Sequence, residues 1–351
     1  MSESNLRVGL IGTGFGKSTQ MPGFQSRHDI EVVAVCSGHL EKAQAFAREC
    51  GIADAYDDYR AMLAKEQLDI VSIVTPPHLH KEMTLAAFRA GAHVLCEKPM
   101  ALNATEAQEM CEAARAAGRI GMIDHEFRYL PWRAYVKHLI DDGYIGEPYH
   151  VSVVNFTGMR ADPQRPFNWW SQRETGGGLL GAIGSHYIDA IHTFAGSIVE
   201  VCGLVDTRIA KRQEPSSGAL RLVTSDDNCA FLARLAGGAT ASVHLSAVAR
   251  PAGGEQIQIF GNHGSLSIDR ENRVWGGKSN EPRLRELAIP PAFKVEGAGL
   301  IGPFNVLLAR MIDGIRNGAS EVSPSFADGL VVQRVLDAVR TSSEGAGWVK
   351  V

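Results

Sequence analysis

Glycines near the N-terminus are the first residues whose type and spacing suggest a chemistry. Residues 8–24 read VGLIGTGFGKSTQMPGF. A glycine-rich loop binds phosphate groups, because glycine lets backbone N–H groups come close to the phosphate oxygens. The P-loop pattern G-x-x-x-x-G-K-[ST] fails here, because its first glycine would fall on Ile11. The dinucleotide pattern G-x-G-x-x-G begins correctly at Gly12 and Gly14, but Lys17 stands where its third glycine belongs.

The elements around these glycines decide between the two patterns. Apolar runs predict strands at 6–12, 30–36, 69–77, 93–99 and 120–125, and helical spacing predicts helices at 40–50, 80–91 and 105–118. Strand and helix therefore alternate about five times, which predicts a parallel, doubly wound α/β sheet with right-handed crossovers. The glycines fall between the first strand and the next helical segment, where a pyrophosphate binds. We therefore favour a dinucleotide site over a P-loop or a purely structural turn.

The pattern changes after residue 125. Alternating apolar and polar residues from 148 onward predict strands, with hairpin turns at 237–238 and 262–264, and residues 210–222 read as a polar loop. Helices are predicted at about 127–142, 181–195, 303–317 and 327–342. The sequence thus predicts a Rossmann domain at 1–124 and an α+β domain at 125–351 with a large, open, mainly antiparallel sheet. The helix at about 327–342 is a candidate to pack back on the first domain.

Composition narrows the class of protein. The chain has 351 residues, of which 45% are hydrophobic and 21% charged, with a formal net charge of -4, so we expect no nucleic-acid partner. Six cysteines are scattered without a C-x-x-C pair, which is typical of reduced thiols. Because neither a signal peptide nor an apolar run of membrane-spanning length is recognisable, we expect a cytoplasmic protein that does not bind membranes.

Several motifs at matching intervals resemble one family. They are the glycine loop, DIVSIVTPPHLH at 69–80, GAHVLCEKP at 91–99, HEFRYLP at 125–131, GGGLLGAIGSHYIDAIHTFAG at 176–196 and FADGLVVQRVLDAV at 326–339. Over essentially its full length the chain resembles the Gfo/Idh/MocA family of NAD(P)-dependent oxidoreductases. The resemblance implies hydride transfer between nicotinamide and a sugar, a polyol or a related cyclic alcohol or ketone. It also implies a homodimer or homotetramer.

The resemblance implies two catalytic residues. Lys98 of the E-K-P tripeptide matches the lysine that lies beside nicotinamide and substrate, and a cation there would stabilise developing alkoxide charge. His186 matches the histidine that exchanges the substrate proton, a role that suits imidazole because its pKa lies near neutral pH. The structural alternatives are a surface lysine at a strand end and a histidine that only packs a helix.

The chain departs from the family pattern four residues before His186. Many members have an aspartate there, in the order D-x-G-x-H, whereas this chain has Ala182. Asp189 follows His186 by one helical turn, but the family usually has that aspartate as well, so we read it as structural. Either Lys98 and His186 suffice, or another residue supplies the carboxylate, or the chain binds cofactor without turnover. An NAD-dependent glycosidase and a non-catalytic ligand sensor therefore remain as alternatives.

The cofactor is predicted to be NAD or NADP. After the second strand, where an acidic residue would bind the ribose hydroxyls of NAD, the sequence reads Cys36-Ser37-Gly38-His39 without a carboxylate, which favours NADP. Together with the resemblance, this gives the predicted cofactor residues Gly12, Gly14, Phe15, Gly16, Ser37, His39, Lys42, Thr75, Pro76, His80, Glu97 and Lys98. The predicted substrate residues are Lys98, His125, Arg160, Trp169 and His186.

Histidines in two places raise the alternative of a metal site. His78 and His80 are two residues apart, and such a pair does not face the same side of a helix. His186, Asp189 and His192 have helical spacing but match the family motif instead. We therefore predict no metal site.

Overall fold

The computed structural model describes residues 5–351, so the first four residues of the predicted domain 1–124 lie outside the described range. Strands and helices alternate at the beginning of the chain, as the sequence predicted. The strands are β1 (Leu6–Ile11), β2 (Ile30–Cys36), β3 (Asp54–Tyr56), β4 (Ile70–Ile73), β5 (His93–Cys96) and β6 (Gly121–Ile123). The helices are α1 (Met21–Gln25), α2 (Leu40–Cys50), α3 (Tyr59–Lys65), α4 (His80–Arg89) and α5 (Ala104–Ala117). Strand β3 and helix α3 were not predicted.

All six strands form one parallel sheet in the order β3-β2-β1-β4-β5-β6. Strand β1 reads LRVGLI with its last four residues buried, as expected for a parallel strand covered on both faces. The order reverses direction between β1 and β4, which is the point where doubly wound sheets bind dinucleotides. The predicted Rossmann fold is confirmed.

Strands dominate the middle of the chain. Helix α6 (Pro131–Asp141) precedes β7 (Pro148–Phe156), and α7 (Ser185–Ala195) precedes β8 (Ile198–Asp206). The following strands are β9 (Lys211–Gln213), β10 (Leu220–Leu222), β11 (Asn228–Leu235), β12 (Thr240–Ser246), β13 (Gly254–Gly261), β14 (Gly264–Ile268), β15 (Val274–Lys278) and β16 (Arg285–Leu287). The last elements are α8 (Ile301–Arg316), α9 (Phe326–Thr341) and β17 (Val349–Lys350).

The second sheet has nine strands in the order β16-β15-β14-β13-β7-β12-β11-β8-β17. Its pairs are antiparallel except for β7 with β12, which confirms the predicted mainly antiparallel sheet. Both predicted hairpins are present, as the antiparallel pairs β11–β12 and β13–β14. The polar loop predicted at 210–222 is wrong, because β9 and β10 form a two-stranded hairpin there.

The chain divides into two compact units. The first contains the residues up to Tyr129 together with Val295–Val331, and the second contains Leu130–Lys294 and Val332–Val351. The division predicted at residue 124 therefore differs in the placement of helix α8, which belongs to the first unit. In that unit Phe304 of α8 packs edge-on against Phe24 of α1, with ring centroids 5.6 Å apart.

Two findings concern residues 5–351 as a whole. No helix in this range is both long enough and apolar enough to cross a membrane. Of the six cysteines, Cys36, Cys96, Cys111 and Cys229 are buried.

Candidate active site

The glycine loop forms a cradle at the carboxyl end of β1. Gly12 has a φ of +110°, a conformation that favours glycine, and a Cβ there would overlap the carbonyl oxygen of Val74. At Gly14, by contrast, no heavy atom lies within 4 Å of the place a Cβ would take, so this side of the loop is open. A tight turn with an open outer face fits the close approach of a pyrophosphate.

Most of the other predicted cofactor residues lie on loops at the same edge of the parallel sheet. Ser37 follows β2, Thr75 and Pro76 follow β4, and Glu97 and Lys98 follow β5. Phe15 and Gly16 belong to the glycine loop, His39 directly precedes α2, and Lys42 is exposed on that helix. Since the carboxyl ends of parallel strands meet at one edge, the fold gathers these residues where open α/β sheets bind their ligands.

Lys98 follows β5, and its side chain lies near the glycine loop. Its Nζ lies 4.0 Å from Oε2 of Glu97 and 5.9 Å from the ring centroid of Phe15. The lysine side chain is 17% exposed. A partly buried ammonium between an acidic side chain and an aromatic ring can present its charge to a ligand in the loop.

Three carboxyl groups are buried near this lysine: Glu97, Asp124 and Glu126. Burial raises the pKa of Glu97 and of Asp124 well above the usual range, and in each a neighbouring carboxyl adds to the effect. Burial also raises the pKa of Glu126 to about 8, although Lys98 acts in the opposite direction. Asp124 and Glu126 were not predicted from the sequence, although they flank the predicted substrate residue His125, which is itself buried directly after β6.

His80 lies between two backbone carbonyl oxygens. Its Nε2 lies 2.8 Å from the carbonyl oxygen of Thr75, and its Nδ1 lies 3.1 Å from that of Pro99. Burial lowers the pKa of His80 to about 4, so the ring is neutral at pH 7 and donates to one of the two oxygens. His80 therefore lies between the loop after β4 and the loop that carries Lys98.

His186 lies in the second unit, on α7, where it is 1% exposed. A turn of π-helix at Leu180–Gly184, which contains Ala182, leads into this helix. Asp226 holds the start of the turn, because its Oδ2 accepts a hydrogen bond of 2.6 Å from the backbone N–H of Leu180. Asp189 is buried on the same helix as His186.

Arg160 is 7% exposed in the second unit, and its guanidinium lies 4.2 Å from the ring centroid of Trp170. Burial lowers the pKa of Arg160 to about 10, with further contributions from Arg212 and Arg165. The aromatic partner of this arginine is thus Trp170, whereas the predicted substrate residue Trp169 is 38% exposed. Among residues 5–351, no three histidine, cysteine, aspartate or glutamate side chains are grouped so as to hold a metal ion.

Two family models match the chain. One, an oxidoreductase family with an NAD-binding Rossmann fold, matches residues 6–125, and the GFO/IDH/MocA C-terminal domain matches residues 134–267. The chain belongs to the GFO/IDH/MocA oxidoreductase family. The predicted membership is confirmed, and so is the prediction of an enzyme that uses a nicotinamide dinucleotide, NAD or NADP.

Relatives within the GFO/IDH/MocA family include sugar dehydrogenases. Levoglucosan dehydrogenase of Pseudarthrobacter phenanthrenivorans is 31% identical over 99% of this chain and 98% of its own length. D-Glucoside 3-dehydrogenase of Escherichia coli is 36% identical over 54% of each chain. The structure of levoglucosan dehydrogenase in complex with NADH and L-sorbose matches with a TM-score of 0.92, at 28% identity over 99% of both chains.

Proposed function

We propose that this enzyme catalyses the reversible NAD(P)-dependent oxidation of a hydroxyl group on a sugar, a polyol or a related cyclic alcohol. The observation that carries the proposal is the position of Lys98, which follows β5 at the ligand-binding edge of the sheet and has its Nζ 5.9 Å from the ring of Phe15 in the glycine loop. Dehydrogenases of levoglucosan and of D-glucosides among the relatives support a sugar-like substrate.

The cofactor is held by the loops at the carboxyl edge of the sheet. Gly12, Gly14 and Gly16 supply the turn on which the pyrophosphate lies, and Thr75 and Pro76 border the next loop along the sheet. When bound, NAD or NADP would supply the hydride acceptor for oxidation of the alcohol and the hydride donor for reduction of the carbonyl. The residues predicted to contact the cofactor after β2 are Ser37, His39 and Lys42, and none of them carries a carboxylate. NADP is therefore the favoured form.

Lys98 and His186 manage the charge and the proton of the reacting hydroxyl. The lysine ammonium stabilises negative charge that develops on the substrate oxygen. The histidine accepts the hydroxyl proton during oxidation and returns it during reduction. His125, Arg160 and Trp169 contribute to the binding of the sugar, for which an aromatic face and a guanidinium are suitable partners.

The test is the absorbance of reduced nicotinamide during incubation with NAD or NADP and a panel of inositols, aldoses, keto-sugars, levoglucosan and methyl glucosides. Turnover with at least one sugar is expected in the wild type, and Lys98→Ala should lower kcat by 100-fold or more, on the order of an oxyanion-stabilising donor. Lys81→Ala is the matched control, since this lysine pairs with Glu106 and Glu109 on the outer helices. Equal activity in both variants would contradict the proposed role of Lys98.

Ala182 favours a second candidate, a ligand sensor that binds cofactor without turnover. No carboxylate stands four residues before His186, so the usual orienting partner of the imidazole is missing from that turn. Tight binding of NADH, measured by fluorescence, with flat absorbance for the whole sugar panel would support this candidate. Steady formation of reduced cofactor would eliminate it.

We also propose that the outer face of the nine-stranded sheet forms the contact in a homodimer or homotetramer. Leu204 and Leu232 are 57% and 52% exposed on this face. They border a largely apolar groove of about 340 Å³, which also includes Cys202 and His244. An apolar sheet face of this kind is typical of subunit contacts.

A further inference from the structure

Gln20 is the centre of a buried polar cluster beside Lys98. It is the last residue of the π-helical turn Gly16–Gln20, which begins in the glycine loop, and is fully buried. Its Nε2 donates one hydrogen bond of 3.1 Å to Oε1 of Glu97 and another of 3.0 Å to Oδ2 of Asp124. A single amide group thus joins two buried carboxyl groups that come from different strands.

Ser72 determines which way this amide points. Its hydroxyl, fully buried on β4, donates a hydrogen bond of 2.5 Å to Oε1 of Gln20. Because the carbonyl end of Gln20 is occupied by this donor, both N–H groups are directed at the carboxyl groups. The carboxamide therefore has one favoured orientation.

The same arrangement determines which oxygen of Glu97 faces the lysine. Oε1 of Glu97 accepts from Gln20, whereas Oε2 is the atom 4.0 Å from Nζ of Lys98. A carboxyl group held at one oxygen by a buried donor loses most of its rotational freedom. The other oxygen consequently keeps a constant direction toward the ammonium.

The hydrogen bonds of Gln20 also affect the protonation of the cluster. The titratable groups that face Glu97 and Asp124 are Lys98, Glu126 and the buried thiol of Cys96. Burial favours the neutral carboxyls, while the hydrogen bond from Gln20 lowers the pKa of Asp124. Gln20 thus opposes protonation of Asp124, the carboxyl group that it joins to Glu97.

We infer that Gln20 is a positioning residue for Lys98, which holds Glu97 and Asp124 as one hydrogen-bonded pair and keeps Oε2 of Glu97 directed at the ammonium. This inference rests on the proposed function, in which Lys98 acts on the reacting oxygen. Gln20 itself touches neither substrate nor cofactor in this role. It acts through Glu97 and Asp124, to which it donates hydrogen bonds.

The first experiment measures the cluster without substrate. In the full chain labelled with carboxyl-¹³C aspartate, the resonance of Asp124 is assigned with Asp124→Asn and followed against pH by NMR. Gln20→Met keeps the size of the side chain but removes both N–H donors, so the titration midpoint of Asp124 should move to higher pH. Gln25→Met on α1 is the matched control, since Gln25 donates only to the backbone of Cys50 at the surface. An unchanged midpoint in Gln20→Met would overturn the inference.

The second experiment measures kcat against pH with a sugar that the wild type turns over. In Gln20→Met the low-pH limb should move to higher pH and the maximal kcat should fall about tenfold, because Asp124 becomes protonated more readily and Glu97 loses the donor that holds its Oε1. Ser72→Ala, which removes only the donor that orients Gln20, should shift the limb in the same direction and serves if Gln20→Met does not fold. A lower kcat with an unchanged profile in both variants would indicate a merely structural role and contradict the inference.

The two experiments separate this inference from the proposed function. If the Asp124 midpoint moves but the wild type turns over no sugar, the hydrogen-bonded pair is supported and the dehydrogenase proposal fails. If turnover depends on Lys98 but neither the midpoint nor the pH profile responds to Gln20→Met, the proposed function stands and the positioning role is refuted.

Discussion

At the scale of single residues, polar residues within recognisable motifs were accessible to sequence reasoning, whereas Gln20 and Asp124 were not. Lys98 follows an apolar strand within a recognisable tripeptide, so its position at the sheet edge could be predicted. Gln20 and Asp124 carry no such signal, because nothing in a sequence distinguishes a buried glutamine from a surface one. Glu97 and Asp124 lie 77 and 104 residues after Gln20 along the chain, and only the folded sheet brings the three residues together.

Arg160 provides a prediction at this scale. A charged hydrogen bond to a sugar hydroxyl contributes about 1.5–3 kcal/mol, so Arg160→Met should raise KM for the sugar about 10- to 100-fold. The Kd of NADH, measured by fluorescence, should be unchanged. Arg208→Met is the control, because Arg208 is exposed and pairs with Asp206 in the same unit. A KM equal to that of the control would exclude Arg160 from the sugar site.

At the scale of elements, strands with one buried face were predictable and strands without one were not. The hairpin β9–β10 was read as a loop because β9 (Lys211–Gln213) is entirely polar and β10 (Leu220–Leu222) contributes an alternation of only three residues. Arg212 of β9 is instead buried, where its guanidinium donates to the carbonyl oxygens of Arg160 and Asp162. A buried arginine that binds backbone carbonyls gives no hydrophobic pattern.

A substitution at Gly178 tests whether Asp226 positions the turn that leads into α7. It has a φ of +119°, and a Cβ there would overlap Oδ1 of Asp226, the residue that binds the N–H of Leu180. Gly178→Ala should therefore lower the free energy of unfolding by about 2 kcal/mol more than Gly196→Ala. Gly196 is the matched control because its φ is also positive, +97°, but no heavy atom lies within 4 Å of an added Cβ. Thermal unfolding followed by circular dichroism measures the difference, and equal losses would contradict this account of the turn.

At the scale of the whole molecule, the buried carboxyl groups give stability a characteristic pH dependence. The pKa of Glu126 is raised from 4.5 to about 8 in the folded chain, so its contribution is present below pH 4.5 and is lost as the pH rises through 8. The pKa values of His80 and His93 are lowered from 6.5 to about 4, which makes stability rise with pH in that lower range. Above about pH 6.5 these two histidines no longer change the stability with pH, so the effect of Glu126 on stability can be measured there.

Glu126→Gln should flatten the pH dependence of stability between about pH 6.5 and 8. In the wild type the free energy of unfolding should fall by roughly 1 kcal/mol per pH unit in this window, because the folded state holds a proton that the unfolded state has released. The variant should show a smaller slope, measured as Tm against pH, while Glu41→Gln at an exposed position on α2 should follow the wild type. Identical slopes in all three proteins would show that Glu126 is ionised in the folded state.

Assembly provides a second prediction at this scale. If the outer face of the nine-stranded sheet joins subunits, Leu204→Glu with Leu232→Glu should dissociate the oligomer, because two buried charges would face each other across the contact. Light scattering after size-exclusion chromatography measures the mass. A variant with the wild-type mass would place the contact elsewhere, and a monomeric wild type would refute the assembly itself.

The most direct test of the central claim follows the hydrogen atom itself. The enzyme is incubated with oxidised NAD or NADP and sugars from the panel that carry deuterium on the ring carbons, and the cofactor is then examined by mass spectrometry. Our account predicts that the reduced cofactor carries one deuterium and that Lys98→Ala abolishes its appearance. If the protein binds NADH but the cofactor never acquires deuterium from any sugar, the assignment of this site to sugar oxidation is contradicted.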